Sequence, residues 1–301
     1  MFVSGYDGVH YSKHITMKRK ALTLILSIIA FLATAQTSKV EFHLWPNGAP
    51  NNNEEQGPEK ANPMFVTNVV DPVMTVYLPE QPNGLAILAC PGGSYVQVWQ
   101  GTEGHNRAKW YTDQGIVYAV LKYRLPNGGH YEVPLSDVHQ AMHILQEHQT
   151  EYGFRKLGIQ GCSAGGHLAS TAATHFTNDE NRPDFQILFY PVISTDPTFT
   201  HQASCDNLLG KNASAELKER YSNELQVTPQ TPPAFITAST NDGLVPVRNS
   251  TSYYEALVAN GVSATMCLFP IGEHGWFGND QFAYCEIWLS ALKVWLAEMA
   301  K

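Results

Sequence analysis

The sequence predicts an α/β protein with a doubly wound, mostly parallel β-sheet. Short, continuous apolar runs such as residues 85–90 are typical of strands that are buried on both faces of a sheet. Segments with helical spacing of their apolar residues separate these runs in the later part of the chain. Strands that alternate with helices form parallel sheets with right-handed crossovers. At 301 residues, the chain is long enough for one large domain of this class.

The N-terminal region has the layout of a secretory signal peptide. Basic residues 18–20 precede an apolar run at 21–32 that is shorter than a membrane span, and Ala-Thr-Ala at 33–35 matches a cleavage site. We therefore predict that residues 1–35 comprise a short upstream extension and a signal peptide spanning Met17–Ala35. The mature protein is expected to be secreted or periplasmic and to have no membrane anchor.

Composition argues against several partners and cofactors. The formal net charge is −8, and an acidic surface repels the phosphate backbone of nucleic acids. The chain has no GxGxxG, Walker or HExxH motif, so we expect neither a nucleotide cofactor nor a metal. Five cysteines at irregular spacing are not a disulfide framework, although the sequence leaves open a pair between Cys205 and Cys285.

The predicted elements follow one another within a single domain, residues 36–301. A short N-terminal cover precedes the alternating part and includes strands at 40–45 and 73–78. Further strands are predicted at 85–90, 116–121, 157–159, 185–190, 234–239 and 264–269. Helices are predicted at 104–114, 134–145, 166–173, 247–260 and 282–299. The polar, irregular segment 194–232 is too long for a plain connection, so we predict a small lid or cap there.

The stretch Gly161-Cys162-Ser163-Ala164-Gly165 matches the G-x-S-x-G pattern. It follows a short apolar run and precedes a helical segment of small residues, which is the strand–turn–helix context of a nucleophile elbow. Such a turn strains the backbone of the serine and exposes its hydroxyl at the carboxyl edge of the sheet. We therefore predict that Ser163 is a nucleophile. The alternative is a glycine-rich turn without chemistry.

A serine hydroxyl needs a base that a carboxylate orients. Around a nucleophile elbow these partners follow in the order acid, then histidine, on loops after later strands. Asp242 follows the strand 234–239 and His274 follows the strand 264–269, where ligands bind in open α/β sheets. We predict that these two residues are the acid and the base. The alternatives are an Asx-turn role for Asp242 and a surface position for His274.

The loop after strand 85–90 is the predicted oxyanion hole. Gly93 and Ser94, with Ala164 after the nucleophile, offer backbone N–H groups to the oxygen of a substrate. Small residues at these positions allow the backbone to approach the substrate closely. A glycine turn without this role is the alternative.

Three other histidines fit a catalytic role less well. His139 and His143 lie four residues apart on a predicted helix, but no third metal ligand is evident. An exposed helix face is the stronger interpretation of this pair. His167 lies in the helix after the elbow and is expected to pack or to form hydrogen bonds locally.

Together these residues resemble the α/β-hydrolase superfamily and, within it, the secreted bacterial esterases of the acetyl xylan esterase and feruloyl esterase group. The resemblance covers about residues 40–301 by the order of elements. It is carried by the motifs Leu44–Pro50, Pro91–Tyr95, Tyr123–Pro126 and Gly161–Ala169, and by the loops of Asp242 and His274. It implies an α/β-hydrolase fold with a Ser163–His274–Asp242 triad.

The resemblance further implies a secreted serine esterase that hydrolyses short-chain acyl esters, such as acetyl groups on xylan, through an acyl-enzyme. Tyr95, Trp99 and Trp276 would form a rim that stacks on the substrate, with burial in the core as the alternative. A feruloyl-type esterase and a serine exopeptidase are rival enzymes, because they share this fold and triad. A carbohydrate-binding relative is the non-enzymatic alternative. The expected partner is a small-molecule or oligosaccharide ester, and the oligomeric state stays open.

Overall fold

A twisted sheet with helices on both faces is seen in the structure, a computed structural model that describes residues 38–301. The predicted upstream extension and signal peptide lie outside the described residues. The strands are β1 (Ser38–His43), β2 (Lys60–Ala61), β3 (Val66–Thr67), β4 (Val73–Leu78), β5 (Gly84–Cys90), β6 (Val117–Lys122), β7 (Phe154–Cys162), β8 (Phe185–Phe189), β9 (Ala234–Ser239) and β10 (Ala264–Phe269).

The helices connect these strands and lie between them in the chain. They are α1 (Ala108–Asp113), α2 (Glu132–Glu147), α3 (Gln149–Tyr152), α4 (Ala164–Thr174), α5 (Gln202–Leu209), α6 (Ala215–Arg220), α7 (Arg248–Ala259) and α8 (Cys285–Met299). Short 3-10 helices occur at His105–Arg107 and Asn223–Leu225.

The main sheet has the strand order β1-β4-β6-β5-β7-β8-β9-β10. The strands from β6 to β10 in this order pair in parallel, whereas β4 is antiparallel to both β1 and β6. The prediction of a doubly wound, mostly parallel sheet is therefore confirmed. The predicted strands at 73–78, 234–239 and 264–269 have the same bounds as β4, β9 and β10. The predicted N-terminal cover supplies the antiparallel edge.

The core lies in two layers, one on each face of the sheet. Every residue of β5, β8 and β9 is buried, as the continuous apolar runs predict. One layer packs the sheet against α2, α4 and α7, and includes the helix stripe of Val138, Ala141 and Met142. The other layer packs it against α1 and α8. Both faces are thus covered, which a parallel sheet requires.

A buried carboxylate joins the N-terminal part of the domain to α2. Asp137 is fully buried and accepts hydrogen bonds from Arg124 Nη2 at 2.6 Å, from the Arg124 backbone N–H at 2.8 Å and from Trp45 Nε1 at 2.7 Å. An ion pair that is fully hydrogen-bonded in this way compensates the cost of burying its charges. Two of the motifs that carry the resemblance, around Trp45 and Arg124, therefore have a structural role.

The segment 194–232 contains α5, α6 and a 3-10 helix, where the sequence predicts irregular chain. The prediction was wrong on this point because these helices are short and polar. Ser214 caps α6 by accepting the Leu217 N–H at 3.2 Å. Asn223 fixes the segment to α4, since its Nδ2 donates to Ser170 Oγ at 2.7 Å. The role of the segment as a lid or cap stays a prediction.

No helix within residues 38–301 has the length and hydrophobicity that crossing a membrane requires. The five cysteines of this part of the chain are free thiols, including Cys205 and Cys285, which the sequence left open as a pair.

Candidate active site

The turn between β7 and α4 places Ser163 at the carboxyl edge of the sheet. Ser163 has φ 54° and ψ −122°, a conformation that residues with a side chain rarely adopt. The flanking glycines permit this tight turn. A Cβ on Gly161 would overlap the Gly165 carbonyl, and a Cβ on Gly165 would overlap the carbonyl oxygen of Cys90. The local geometry is therefore that of the strand–turn–helix elbow that the sequence predicts.

Three side chains from separate loops meet above this turn. His274 Nε2 lies 2.8 Å from Ser163 Oγ, and His274 Nδ1 lies 2.7 Å from Asp242 Oδ2. They come together because β7, β9 and β10 are parallel, so that the loops after these strands share one edge. The side chain of Asp242 is fully buried, whereas that of His274 is 16% exposed. In this arrangement the imidazole is placed to take the serine proton at Nε2 while Nδ1–H donates to the carboxylate.

Asp242 combines the two roles that the sequence offers as alternatives. Its Oδ2 faces the imidazole of His274, and its Oδ1 accepts the backbone N–H groups of Leu244 and Val245 at 2.9 Å each. The residue is thus an Asx-turn acceptor and the partner of the histidine at once. Backbone N–H bonds to a carboxylate also restrict its rotation. The bonds to Oδ1 therefore fix the orientation of Oδ2, the oxygen that faces His274.

In the loop after β5, the backbone carbonyl groups are hydrogen-bonded within the protein, whereas some of the backbone N–H groups are not. The carbonyl oxygens of residues 92–94 all accept hydrogen bonds, at 2.8–3.2 Å. In contrast, no acceptor within the described residues takes the N–H of Gly93, Ser94 or Ala164. Gly93 and Ser94 line the same cleft as Ser163. The three predicted oxyanion donors are therefore available to a ligand.

Two side chains from other parts of the chain donate hydrogen bonds to carbonyl groups of this loop. The Tyr123 hydroxyl donates to the Pro91 carbonyl at 2.7 Å, and Asn207 Nδ2 donates to the Ser94 carbonyl at 2.8 Å. Tyr123 lies in a motif that carries the resemblance, whereas Asn207 belongs to the segment 194–232. The loop is thus bonded both to the core and to this segment.

Glu103 is a buried acid beside the nucleophile that the sequence patterns do not single out. Its Oε2 accepts the Gly92 N–H at 2.7 Å and its Oε1 accepts the Tyr190 hydroxyl at 2.9 Å. Burial raises the pKa of this carboxyl group above its usual value. The Tyr190 ring in turn packs on His274, with 4.6 Å between the ring centroids. The only sequence signal is a lone acid between small residues, Thr102 and Gly104, shortly after the predicted oxyanion loop.

A cleft of about 400 Å³ opens above Ser163. Its walls are polar at Gln97 and Thr102 and apolar at Trp99 and Leu244. Trp99 therefore lies at the cleft wall, and its contact with a substrate stays a prediction. The mixed walls suit a ligand with hydroxyl groups and an apolar face.

Tyr95 and Trp276 do not belong to the rim of this cleft, and this part of the prediction was wrong. Tyr95 is 2% exposed and its hydroxyl pairs with His167 Nδ1 at 2.9 Å. Trp276 is 3% exposed, donates from Nε1 to Ser239 Oγ at 2.9 Å and stacks on Phe282. Both side chains turn into the core, which is the alternative that the sequence left open.

The three histidines that fit a catalytic role less well, His139, His143 and His167, do not line the cleft. His143 is exposed, 3.6 Å from Glu147, whereas Nε2 of His139 is buried without a partner in residues 38–301. No group of potential metal ligands occurs in this part of the chain. His167 packs in the core and forms hydrogen bonds, but its Nε2 donates to the Tyr221 carbonyl at 2.8 Å, a partner distant in sequence rather than a local one.

Several known proteins are similar to this chain in structure or in sequence. An acetyl ester-xyloside bifunctional hydrolase from Caldicellulosiruptor lactoaceticus has a TM-score of 0.74 at 30% identity, and the match covers 89% of this chain and 98% of that one. An acetylxylan esterase from Xylanibacter ruminicola is 39% identical over 229 residues, which are 74% of this chain and 47% of the relative. An endo-1,4-beta-xylanase B from Butyrivibrio fibrisolvens is 34% identical over 212 residues, 65% of this chain and 33% of the relative.

The sheet order, the elbow and the similarity to the Caldicellulosiruptor structure define the protein as an α/β-hydrolase. More particularly, the chain belongs to the BD-FAE family, whose model matches residues 74–257. That match extends from β4 to α7 and includes Ser163 and Asp242. The chain spans less than half the length of the two curated relatives from Xylanibacter and Butyrivibrio.

Proposed function

We propose that the protein is a serine esterase that removes short acyl groups, in particular acetyl groups, from xylan or its oligosaccharides. The observation that carries the proposal is the pair of hydrogen bonds from Ser163 through His274 to Asp242 at the base of an open cleft. The names of two similar proteins, an acetylxylan esterase and an acetyl ester-xyloside hydrolase, support this substrate class.

The first half of the proposed reaction forms an acyl-enzyme. Ser163 Oγ attacks the carbonyl carbon of the ester while His274 Nε2 takes the hydroxyl proton. The carbonyl oxygen becomes an oxyanion within reach of the N–H groups of Gly93, Ser94 and Ala164. One such donor typically lowers the barrier by about 3 kcal/mol. The bond to the sugar oxygen then breaks, this oxygen takes the proton from His274, and the acyl group stays on Ser163.

The second half releases the acid. Water attacks the acyl carbon while His274 takes its proton, and the bond to Oγ breaks as Oγ recovers that proton from the imidazole. Asp242 holds Nδ1–H in place and stabilises the imidazolium. Cys162, next to the nucleophile, does not compete for the acyl group, because burial raises the pKa of its thiol well above the usual value.

Replacement of the nucleophile tests the mechanism. Ser163→Ala should lower kcat on an acetylated xylooligosaccharide by at least about 10³-fold, because the residual rate comes from the oxyanion donors and binding alone. Acetate release is the measurement, and the midpoint of urea unfolding should stay close to that of the wild type. Ser252→Ala on α7, outside the cleft, is the matched control and should keep turnover. A rate near that of the wild type in Ser163→Ala would rule out the mechanism.

A substrate panel separates the rival functions. Acetyl, butyryl and feruloyl esters and an aminoacyl anilide are compared by kcat/KM, together with labelling of Ser163 by a fluorophosphonate. The acetyl ester is expected to be preferred. A preference for the feruloyl ester would indicate a feruloyl esterase, and cleavage of the anilide an exopeptidase. A protein that neither turns over substrate nor is labelled would be a non-catalytic binder.

We also propose that the protein is exported, to the periplasm or beyond, after removal of the signal peptide. The basic residues 18–20, the apolar run and the Ala-Thr-Ala site support this localisation. Expression of the full chain in a bacterial host, followed by mass spectrometry of the product, should give a chain that begins at Gln36. An uncleaved chain that stays in the cytoplasm would contradict the proposal.

A further inference from the structure

We propose that Glu103 is a positioning residue that couples the oxyanion loop to the histidine loop, an inference that rests on the esterase function proposed above. The oxyanion loop is residues 91–99, after β5, and the histidine loop is residues 270–282, between β10 and α8. The two loops come from distant parts of the chain, and both must be correctly placed for the proposed reaction. Glu103 is bonded to the first loop and, through Tyr190, to the second.

Both oxygens of Glu103 meet a donor. Oε2 accepts the Gly92 N–H at 2.7 Å and Oε1 accepts the Tyr190 O–H at 2.9 Å. Both oxygens act as acceptors in these bonds, and the short distances indicate good hydrogen-bond geometry. Only 7% of Glu103 is exposed, so little water competes for these bonds. The carboxylate is therefore a firm attachment point for two groups that are not connected in sequence.

The bond to Gly92 fixes the peptide directly before the predicted donors. With the Gly92 N–H turned toward Glu103, the next two N–H groups, of Gly93 and Ser94, are left free on the cleft side. A Cβ on Gly92 would lie 2.7 Å from Glu103 Oε2 and 2.9 Å from the Ser163 Cβ. Carboxylate, loop and nucleophile are thus in direct contact, and a rotation of this peptide would displace the donors from the oxyanion.

Tyr190 connects Glu103 to the base. The Tyr190 oxygen donates its proton to Glu103 and also accepts the Phe277 N–H of the histidine loop at 3.3 Å. Its ring packs on the His274 imidazole, with 4.6 Å between the centroids. Tyr190 itself has φ 37°, a strained backbone that its surroundings must hold. The hydroxyl of Tyr190 therefore links the position of the imidazole to that of the oxyanion loop.

Glu103 also lines the cleft, next to Ser163 and His274. None of the ion pairs in the described part of the chain includes it, so this buried acid has no salt-bridge partner. Burial of an acidic group without such a partner costs folding free energy, and perturbed acids of this kind concentrate at functional sites. Its oxygens are occupied by Gly92 and Tyr190 rather than by Ser163 or His274, so it acts through the loops and not as a member of the triad.

The test compares Glu103→Gln and Tyr190→Phe with a matched control. The control is Tyr253→Phe, on α7 and away from the cleft. It removes a similarly buried hydroxyl, which donates to Gln186 Oε1 at 3.1 Å. Glu103→Gln should lower kcat on an acetyl ester roughly tenfold to a hundredfold, since a misplacement of about 1 Å costs up to about a hundredfold. KM should change less than about threefold, because the loops are aligned for the transition state rather than for the ground state. Tyr253→Phe should keep kcat even where its unfolding midpoint drops.

Non-additivity distinguishes positioning from general destabilisation. The double variant Glu103→Gln/Tyr190→Phe should lose less activity than the product of the two single losses, because both changes break the same bond. The proposal is overturned if kcat of Glu103→Gln stays within about twofold of the wild type, if only KM rises, or if the two losses multiply. Failure of the esterase function looks different, since the wild type would then release no acetate. In that case the rate of fluorophosphonate labelling of Ser163 reports on Glu103→Gln, and absence of labelling in the wild type overturns both proposals.

Discussion

Trp99 and Trp276 lie close to the proposed triad, but their surroundings differ. Trp99 is half-buried, lines the cleft and has its ring 5.0 Å from that of Phe65. Trp276 is buried among aromatic side chains, and its indole N–H is already bonded to Ser239. The position of Trp99 at the cleft wall suits stacking on a sugar, whereas the burial of Trp276 among other side chains supports the fold.

Trp99→Ala should therefore weaken binding of an oligosaccharide more than it slows the reaction. The expected rise in KM for an acetylated xylooligosaccharide is roughly threefold to tenfold, because an aromatic contact contributes about 0.5–1.5 kcal/mol beyond its buried area. The kcat for a small aryl acetate, which does not reach the ring, should stay within about twofold. Steady-state kinetics on both substrates gives the comparison. Trp276→Phe, the control, should lower the unfolding midpoint and leave KM unchanged, and an unaltered KM in Trp99→Ala would remove this residue from the binding site.

The positions of the proposed triad residues follow from the sequence more directly than the orientations of the side chains around them. Ser163, Asp242 and His274 each follow a strand of a parallel sheet, so topology alone brings them to one edge. Tyr95 directly follows Ser94, a predicted oxyanion donor, but positive φ angles at Ser94 and Tyr95 turn its ring into the core. A sequence pattern gives no signal for such a local turn. Glu103 was missed for a related reason, since its partners are brought to it only by the fold.

At the scale of elements, α5 is linked to the oxyanion loop through one side chain. Asn207 Nδ2 donates to the Ser94 carbonyl at 2.8 Å, and the Asn207 carbonyl accepts the Gly128 N–H at 2.9 Å. The carbonyl of Ser94 is thereby kept out of the cleft, where it would repel an oxyanion. The segment 194–232 thus contributes to the shape of the site.

Asn207→Ala should lower kcat on a small acetyl ester roughly threefold to tenfold. The loss of one hydrogen bond of about 0.5–1.5 kcal/mol frees the Ser94 peptide to rotate, and this misaligns the N–H donor on the same loop. Gln202→Ala is the control on the same helix, because its exposed side chain bonds only to Asp206. Initial rates for the three proteins are the measurement. Equal kcat in Asn207→Ala and the wild type would show that the loop holds its shape without α5.

Elements with a mostly apolar sequence are predicted well, and short polar ones are not. The strands β4, β9 and β10 are mostly apolar over their six residues each, and their predicted bounds are confirmed. The helices α5 and α6 have 8 and 6 residues, so neither completes enough turns for a periodic signal. The segment that contains them is fixed by tertiary contacts such as that of Asn223, in the following 3-10 helix, with α4. These contacts depend on the fold and are not visible in the local sequence.

At the scale of the whole molecule, His167 makes stability depend on pH. The residue is buried between Tyr95, whose hydroxyl donates to Nδ1, and the Tyr221 carbonyl, which accepts from Nε2. These partners fit the neutral imidazole, and burial lowers the pKa of His167 to about 4. The unfolded chain, with an ordinary histidine pKa of about 6.5, binds the proton more readily.

The free energy of unfolding should therefore fall as the pH falls from about 6.5 to about 4. In this window the unfolded state takes up more protons than the folded state, and the contribution of His167 amounts to about 3 kcal/mol in total. Urea unfolding at pH 7 and pH 4.5 measures the loss. His167→Gln keeps an acceptor and a donor but does not titrate, so the loss should be smaller in this variant. The same loss in both proteins would contradict the assignment to His167.

All groups that bear on the proposed reaction stand at the carboxyl ends of the parallel strands. The loop 177–181, between α4 and β8, lies at the other end of the strands, is exposed and is closed by hydrogen bonds of its own, between Asn181 and its neighbours. A tether to a bead or a fused module at this loop would leave the mouth of the cleft facing outward. Insoluble fibres could then reach an immobilised protein without obstruction from its support.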